Sequence, residues 1–298
     1  MKWKNLKSFA IAMLLLLNII VGVLVGIRYT DENYYDRETI ENMTALLGGS
    51  DIVLAPQALS EKIVRLYTLR GTYAEEKTVQ ALTLISGTAP VYDGEKYLCR
   101  TENAVYTHDG MREFSYIRSD IPTLDAAGAV VPANEARERE NAGRAVSEFL
   151  FFDEIFPTGG KYKAELVCRE ILYSPSGGFF AARLYMRVAG SDTDNEITAY
   201  LRDGAVIGIQ GKLPFAFPTE SLRAQETGIL TVLLSEKEFI DSQRAAGTAK
   251  GILVLSHISY SYITWFDMKN TVCFTPVCEL HYTNGDCSRY DMITGERL

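Results

Sequence analysis

The sequence is poor in the residues on which small disulfide-rich proteins and many enzymes depend. It holds 5 cysteines and 3 histidines among 298 residues. The cysteines are odd in number and widely spaced, which excludes the dense disulfide framework of a small secreted domain. We therefore expect stability to come from a hydrophobic core, with buried or idle thiols at Cys99, Cys168, Cys273, Cys278 and Cys287.

Familiar catalytic motifs are absent from the sequence. It contains no Gly-x-Ser-x-Gly, no His-Glu-x-x-His, no Gly-x-x-x-x-Gly-Lys and no Cys-x-x-Cys, so the common patterns for nucleophiles, metals and phosphates are missing. His108 precedes a turn and is expected to be solvated, whereas His257 lies in an apolar strand run as a structural residue. Carboxylate pairs such as Glu75-Glu76 are expected to be loop or surface charges. The sequence therefore predicts a protein that is not an enzyme, with no catalytic, cofactor-binding or metal-binding residue.

One long hydrophobic run is present, close to the N-terminus. A basic tip with Lys2, Lys4 and Lys7 precedes the apolar residues 9–27, and no cysteine follows them that could carry a lipid. A helix of this length rises about 28 Å at roughly 1.5 Å per residue, close to the hydrocarbon thickness of a bilayer. It is also longer than the apolar part of a cleaved signal peptide. Because the basic residues precede the run, the sequence predicts a single-pass protein of the cell membrane with a cytoplasmic N-terminus and an extracytoplasmic C-terminal part.

Within this run, Asn18, Gly22 and Gly26 recur at every fourth position. On a helix these residues share one stripe. Small residues and amides favour close packing between membrane helices. We expect Asn18, Gly22 and Gly26 to form a helix-contact surface, with simple anchoring in the lipid bilayer as the alternative.

The rest of the chain has the composition of a globular protein. Hydrophobic residues make up 47% and charged residues 23% of the whole sequence. Without the 4 basic residues of the first thirty, 26 Lys and Arg face 38 Asp and Glu, a formal charge of −12. This surface argues against nucleic acid as a partner, but not against another protein.

Turn signals divide this part into antiparallel strands. Four dipeptides lie between runs rich in Tyr, Val, Ile and Phe, the pattern of a β-hairpin: Asp93-Gly94, Asp109-Gly110, Asp203-Gly204 and Asn284-Gly285. Residues 162–211 are predicted to form a four-strand meander. A two-residue turn at Asn284-Gly285 would place Cys278 opposite Asp291 and turn His281 to the other face, so we expect neither a Cys278–Cys287 disulfide nor a zinc site.

Apolar spacing predicts three helices, at 58–69, 134–152 and 229–246. Each precedes a group of strands, so the chain is organised as helix then antiparallel strands three times over. We predict an α+β fold with a cytoplasmic tip and transmembrane helix at 1–30, an N-terminal lobe at 31–125 and a C-terminal lobe at 126–298. A linker at 119–134 separates the lobes, and a possible sub-boundary lies near 214–218.

Both ends of the chain carry motifs that point to one known family. The opening Met1-Lys-Trp-Lys-Asn-Leu-Lys7 and the later Leu-Asn-Ile are similar to the start of the YycH/YycI family, and of YycI in particular. The segments Gly251-Ile-Leu-Val-Leu-Ser-His-Ile-Ser-Tyr260 and Thr275-Pro-Val-Cys-Glu-Leu280 and the Thr-Gly-Glu near the end are similar to its close. Cys278 stands where the family has tryptophan, and PepSY-type modules share the Thr-Gly-Glu ending.

The resemblance implies a PepSY/YycI-like fold and a regulatory function. It implies a non-enzymatic accessory protein of a WalK-type sensor histidine kinase, a two-component system for cell-wall homeostasis in Gram-positive bacteria. Its partners would be the transmembrane helices of the kinase and a YycH-like sister protein. The alternative is an extracytoplasmic PepSY-like binding module for a peptide, a wall fragment or a protease. A third possibility, a wall hydrolase, would require an acid and a base clustered in a cleft.

Overall fold

The computed structural model describes residues 18–22, 34–59, 66–120, 135–157, 159–174, 178–222, 227–248, 251–267 and 271–298. Residues 18–22 are helical. Within these ranges no helix combines the length and the apolar character that a bilayer crossing requires. Most of the predicted span at 9–27, including Gly26, and most of the predicted linker at 119–134 lie outside the described residues.

The described chain continues with helices and strands in alternating groups. The helices are α1 (Arg37–Gly48), α2 (Glu75–Ser86), α3 (Glu135–Phe149), α4 (Phe152–Ile155) and α5 (Ile229–Ala245). The first strands are β1 (Ile52–Leu54), β2 (Thr68–Thr72), β3 (Val91–Tyr92), β4 (Tyr97–Arg100), β5 (Ala104–His108), β6 (Glu113–Arg118) and β7 (Ala164–Ser174). The others are β8 (Phe179–Val188), β9 (Ser191–Arg202), β10 (Ala205–Lys212), β11 (Glu220–Leu222), β12 (Leu253–Phe266), β13 (Thr271–Tyr282) and β14 (Cys287–Asp291).

All of these strands belong to one 14-stranded sheet. Its main path runs β11-β2-β13-β12-β9-β10-β6-β5-β4-β3, with β1 beside β12, β14 beside β13, and β8 between β7 and β9. The pairs β1–β12 and β9–β12 are parallel, and the other described pairs are antiparallel. The predicted α+β class is confirmed, in the form of a large, mainly antiparallel sheet with helices packed on it.

Much of the predicted order of elements is confirmed. Helices α3 and α5 begin and end close to the predicted 134–152 and 229–246, and β7–β10 form the predicted meander. The four turn dipeptides each separate two paired antiparallel strands. The groups α2 with β3–β6, α3 with β7–β10, and α5 with β12–β14 repeat the sequence of helix then antiparallel strands.

The helix predicted at 58–69 is wrong where the structure describes it. Residues 58–59 and 66–67 are not helical, and Leu69 lies in strand β2, between β13 and β11. Its side chain is buried, so pairing within the sheet overrides the helical spacing of the leucines. Helices α1 and α2 were not predicted. The apolar side chains that α1 buries are only Met43 and Leu47, too few to mark a helix in the sequence.

The predicted register of the last hairpin is also wrong, by one residue. Cys278 faces Tyr290, and His281 faces Cys287. The loop has three residues, because Tyr282 N–H bonds to the carbonyl of Asp286 at 2.9 Å. In this loop Gly285 has a φ of +90° while Asn284 does not reach positive φ, so a two-residue type I′ turn, which needs both, does not form. His281 and Cys287 therefore share one face, and Cys278 lies on the other.

Two large hydrophobic cores lie against the sheet, with a smaller buried cluster on β8–β10. The larger core joins α2 and α3 to β4–β10, with buried residues such as Leu82, Val146 and Ile209. The C-terminal core joins α1 and α5 to β1 and β12–β14, with Leu47 and Leu280 at its centre. Strands on both sides of the predicted lobe boundary at 125–126 pair with each other, β6 with β10 and β2 with β13. The division into lobes stays a prediction.

Candidate functional site

A cleft of about 710 Å³ lies where β9 meets β12. These two strands pair only at Ser261 with Asp192 and at Tyr262 with Thr193, so the sheet opens on either side of that contact. One wall of the cleft comes from β7–β10, and its polar side chains are Arg169, Glu170, Tyr185, Asp192, Asp194, Glu196 and Lys212. The other wall comes from β12–β14, and its polar side chains are His257, Ser259, Ser261, Glu279, His281 and Arg289.

The wall formed by β12–β14 carries two rows of polar residues in register. His257, His281 and Cys287 face one another across the three strands, and Ser259, Glu279 and Arg289 form the next row. Successive side chains of a strand point to opposite faces. Both rows therefore lie on the face opposite the C-terminal core, where Cys278 and Leu280 are buried.

The two imidazoles are stacked on each other. The ring centroids of His257 and His281 are 4.2 Å apart and the ring planes differ by 4°. His281 Nε2 lies 2.7 Å from Ser259 Oγ, and His257 Nδ1 lies 3.2 Å from Ser256 Oγ. Burial and then the neighbouring imidazole of His257 lower the pKa of His281, while Glu279 acts in the opposite direction. His281 is therefore neutral at pH 7.

Glu279 connects the serines, the histidines and an arginine. Its Oε1 accepts a hydrogen bond from Ser261 at 3.0 Å, and its Oε2 accepts one from Ser259 at 3.2 Å. Arg289 Nε is 3.2 Å from Oε1, and His281 Nε2 is 3.6 Å from Oε2. The Arg289 nitrogen is buried and is not aligned for a hydrogen bond with Glu279 or with any other acceptor among the described residues.

The carboxylates of the opposite wall are all in ion pairs. The pairs are Glu170–Arg183 at 2.8 Å, Asp192–Arg187 at 3.2 Å, Asp192–Arg169, Asp194–Arg112 at 3.2 Å, Asp194–Lys212 at 3.9 Å and Glu196–Arg183 at 3.7 Å. Asp194 also accepts a hydrogen bond of 2.7 Å from the backbone N–H of Thr264, which fixes it to β12. The lining thus carries many charges, each compensated by a neighbour.

A hydroxyl, an imidazole and a carboxylate do meet in this cleft, as a hydrolase would require. In a serine hydrolase the carboxylate bonds to one ring nitrogen of the histidine and the serine to the other. Here Ser259 and Glu279 both face Nε2 of His281. The arrangement therefore does not orient His281 as a general base in the way that a catalytic triad does.

The sequence did not reveal this cleft, although a signal exists. The residues come from strands about twenty positions apart, and only their pairing brings them together. The alternation of His257, Ser259 and Ser261 in one strand, and of Glu279 and His281 in the next, marks one polar face on each strand.

The residues predicted for helix contact lie elsewhere. Asn18 and Gly22 are exposed and four residues apart in the helical segment 18–22. A Cβ atom added to Gly22 would meet nothing within 4 Å. Gly26 lies outside the described residues.

His108 was predicted to be solvated, and this is wrong. The side chain is fully buried and stacks on Phe215 with centroids 4.8 Å apart. Its Nδ1 accepts from Gly110 N–H at 3.0 Å, and its Nε2 therefore donates to the Leu213 carbonyl at 3.1 Å. Burial lowers the pKa of His108, so the ring is neutral and holds the turn against the segment after β10.

Two other predictions concerned His257 and the pair Glu75 and Glu76. His257 lies on strand β12, as predicted, with its imidazole exposed to the cleft. Glu75 and Glu76 are surface charges, as predicted, and lie in the first turn of α2. Glu75 accepts a hydrogen bond from the Tyr97 hydroxyl at 2.6 Å, which joins the helix to β4.

The cysteines and other metal-binding side chains do not converge. The five cysteines are free. In the part of the chain that the structure covers, no set of three or more His, Cys, Asp or Glu side chains is placed to hold a metal ion.

Neither a protein-family model nor a curated protein sequence matches the chain. The chain is similar to an uncharacterized protein from Eubacterium rectale ATCC 33656, with a TM-score of 0.45, 14% identity, and coverage of 83% of this chain and 90% of that one. It is also similar to the YpeB C-terminal domain of Bacillus megaterium, with a TM-score of 0.27, 11% identity, and coverage of 76% and 96%. At TM-scores below 0.5 neither likeness supports an inference about function.

Proposed function

We propose that this chain is a non-enzymatic regulatory protein that is anchored in the cell membrane by its N-terminal segment and recognises a partner through the cleft between β9 and β12. The observation that carries the proposal is the network of paired polar side chains in the cleft, centred on Glu279 and the stacked pair His257 and His281. Polar groups that are held in place before binding lose little freedom when a partner docks. Such a surface suits selective recognition of a polar partner.

We further propose that the partner system is a WalK-type sensor histidine kinase, as the resemblance to YycI implies. In this proposal the outer part of the chain recognises an extracytoplasmic partner such as a YycH-like sister protein. The membrane segment contacts the kinase helices through the stripe of Asn18, Gly22 and Gly26. Contacts of this kind in lipid contribute about 0.5 to 2 kcal/mol each, enough to bias two kinase conformations that differ by a similar free energy.

Crosslinking in membranes tests the kinase contact. The full-length chain is co-expressed with the kinase, and the yield of crosslinked heterodimer is measured for wild type and for Asn18→Leu combined with Gly22→Leu. We expect the double variant to lower the yield severalfold, because leucine keeps the helices apart and removes the amide. Ile20→Leu, on the opposite side of a helix, is the matched control and should crosslink as wild type does. Equal yields for all three proteins would show that the stripe plays no part.

The alternative is a binding module for a peptide, a wall fragment or a protease, and the mixed charges of the cleft favour it as a second candidate. Gene order separates the two possibilities: a neighbouring kinase and response regulator favour the first, and a neighbouring peptidase favours the second. A wall hydrolase is disfavoured because Ser259 and Glu279 both face Nε2 of His281. Ser259→Ala should therefore leave the composition of the cell wall unchanged. If the protein were a hydrolase, cells with this variant would accumulate uncleaved wall material.

A further inference from the structure

The cleft contains two of the three histidines of the chain. Histidine is the side chain whose ordinary pKa lies between about 5 and 8, and the chain has 3 of them. His108 is buried in a turn. The other two, His257 and His281, are stacked on each other in the cleft.

Two adjacent imidazoles cannot both take up a proton without repelling each other. The stack with His257 therefore favours the neutral state of His281, and a proton taken up by His281 places a positive charge beside Glu279. The remaining titratable groups on the same wall are Glu279, Arg289, the hydroxyl of Tyr260 and the thiol of Cys287. Burial raises the pKa of Tyr260 and of Cys287, so both stay protonated while His281 titrates.

The groups that face the histidines from the other wall include no unpaired carboxylate that would neutralise an added positive charge. They are Arg169, Glu170, Asp192, Asp194, Glu196 and Lys212, and every carboxylate among them already has an arginine or lysine partner. Burial raises the pKa of the Tyr185 hydroxyl, so this group stays neutral. One added proton therefore makes the cleft more positive.

Glu279 is placed between two possible partners. It lies 3.2 Å from Arg289 Nε and 3.6 Å from His281 Nε2. The contact with Arg289 is not aligned as a hydrogen bond, and that nitrogen is buried without an acceptor. A positive charge on the ring of His281 attracts Glu279, which is the carboxylate nearest to Nε2. If Glu279 turns to His281, the guanidinium of Arg289 loses its carboxylate and becomes available to another anion.

We propose that the cleft binds an oxyanion group of its partner at Arg289, and that protonation of His281 switches this binding on. The inference rests on the proposal that the cleft is the recognition surface. It adds that the recognised group is negatively charged and that it is bound at acidic pH. The protein would then report acidification outside the membrane by a change in what it binds.

The test uses the reciprocity between proton and anion binding. If an anion binds the form with a protonated His281 more tightly, it must raise the pKa of His281 by an equivalent amount. Full-length protein in nanodiscs, with isotope-labelled histidine rings, is titrated by NMR in chloride and then in sulfate at constant ionic strength. We expect sulfate to raise the pKa of His281 by about 1 pH unit, which corresponds to a tenfold preference for the protonated form. His108 is an internal control and should not move.

Variants separate the anion site from a general salt effect. Arg289→Gln keeps both histidines and should abolish the difference between sulfate and chloride. Arg100→Gln, at an exposed position on β4, is the matched control and should keep it. Acetate replaces sulfate in a parallel titration, and the larger of the two shifts identifies a carboxylate or a tetrahedral oxyanion as the natural group.

A pKa of His281 that is the same in sulfate, acetate and chloride would overturn the proposal. So would a sulfate shift of full size in Arg289→Gln. Neither result would touch the recognition surface itself, because partner binding by the cleft is measured separately with the intact membrane system.

Discussion

Glu236 is a buried carboxylate that joins helix α5 to the sheet. Its Oε1 accepts hydrogen bonds from Tyr282 at 2.7 Å and Ser288 at 2.8 Å, and its Oε2 accepts one from Tyr290. Arg297 lies 3.7 Å from the same carboxylate. Burial and the contact with Glu236 raise the pKa of both tyrosines, so they remain donors at all physiological pH values. This network ties the C-terminal residues to the core.

Removing this carboxylate should destabilise the protein strongly. Glu236→Leu leaves three hydroxyl groups without their acceptor, and breaking a buried charged network costs roughly 3 to 5 kcal/mol. Glu236→Gln should cost less, because it keeps one acceptor. Chemical denaturation of the full-length chain in detergent measures both. Glu238→Gln, at an exposed position of the same helix, is the control and should change the free energy of unfolding by less than about 0.5 kcal/mol.

Acid should weaken the fold through His108. Burial lowers the pKa of this ring below its ordinary value of 6.5, so the unfolded chain takes up a proton at a higher pH than the folded chain does. Stability is therefore complete above about pH 6.5 and falls as the pH drops toward the folded pKa, by up to about 1.4 kcal/mol per pH unit for one histidine.

Denaturation of wild type and of His108→Gln between pH 7.5 and about 5 checks this prediction. Glutamine keeps one donor and one acceptor but does not titrate, so its stability should depend less on pH. His281 contributes in the same direction, since its pKa is also lowered, and it remains in both proteins. Equal slopes for the two proteins would contradict the assigned role of His108.

At the scale of elements, the sequence predicted those helices and turns whose formation depends on residues close together in the chain. Helix α3 is followed in the sequence by Pro157 and the pair Gly159-Gly160, and helix α5 has apolar residues at helical spacing and is followed by Gly247. The Asp-Gly and Asn-Gly turns mark hairpins. The prediction of a helix at 58–69 was wrong because Leu69, at its end, pairs within the sheet as part of β2. The one-residue error at Asn284-Gly285 followed from the loop type, which sets every cross-strand pair beyond it. Long-range pairing, such as β2 with β13, has no local signal.

The segment that links β10 to β11 passes close to β2 at Gly71. A Cβ atom at this position would lie 1.9 Å from the carbonyl oxygen of Phe217, which is backbone and cannot move aside. Gly71→Ala should therefore displace β11 from β2 and cost at least about 2 kcal/mol.

Proteolysis at increasing denaturant measures this effect on the full-length chain. Gly48→Ala, at the end of α1, is the matched control, because a Cβ there meets nothing within 4 Å. It should leave stability unchanged or raise it slightly, since alanine has the higher helix propensity. A Gly71→Ala protein as stable as wild type would refute the close approach of the two backbones.

At the scale of the whole molecule, the sheet unites three groups of helices and strands, and the cleft lies at the junction of two of them. The composition of the chain predicted a globular, acidic body that does not bind nucleic acid electrostatically. It could not predict the cleft, because Ser259, Glu279 and Arg289 meet only after β12, β13 and β14 have paired in one register. The proposed function has two parts: the predicted membrane anchor near the N-terminus contacts the kinase, and the cleft recognises an extracytoplasmic partner.

Blocking the cleft in the intact system is the most direct test of recognition. His257 is exposed in the cleft, and His257→Trp would fill it without entering either core. Val91→Trp places the same bulk on an exposed position at the far edge of the sheet, in β3, where Val91 is 67% exposed. The output of the kinase is read from a reporter gene in cells that hold equal amounts of each full-length variant. We expect His257→Trp to reduce regulation to the level of cells that lack the protein, with Val91→Trp acting as wild type. Full regulation by His257→Trp would contradict the account.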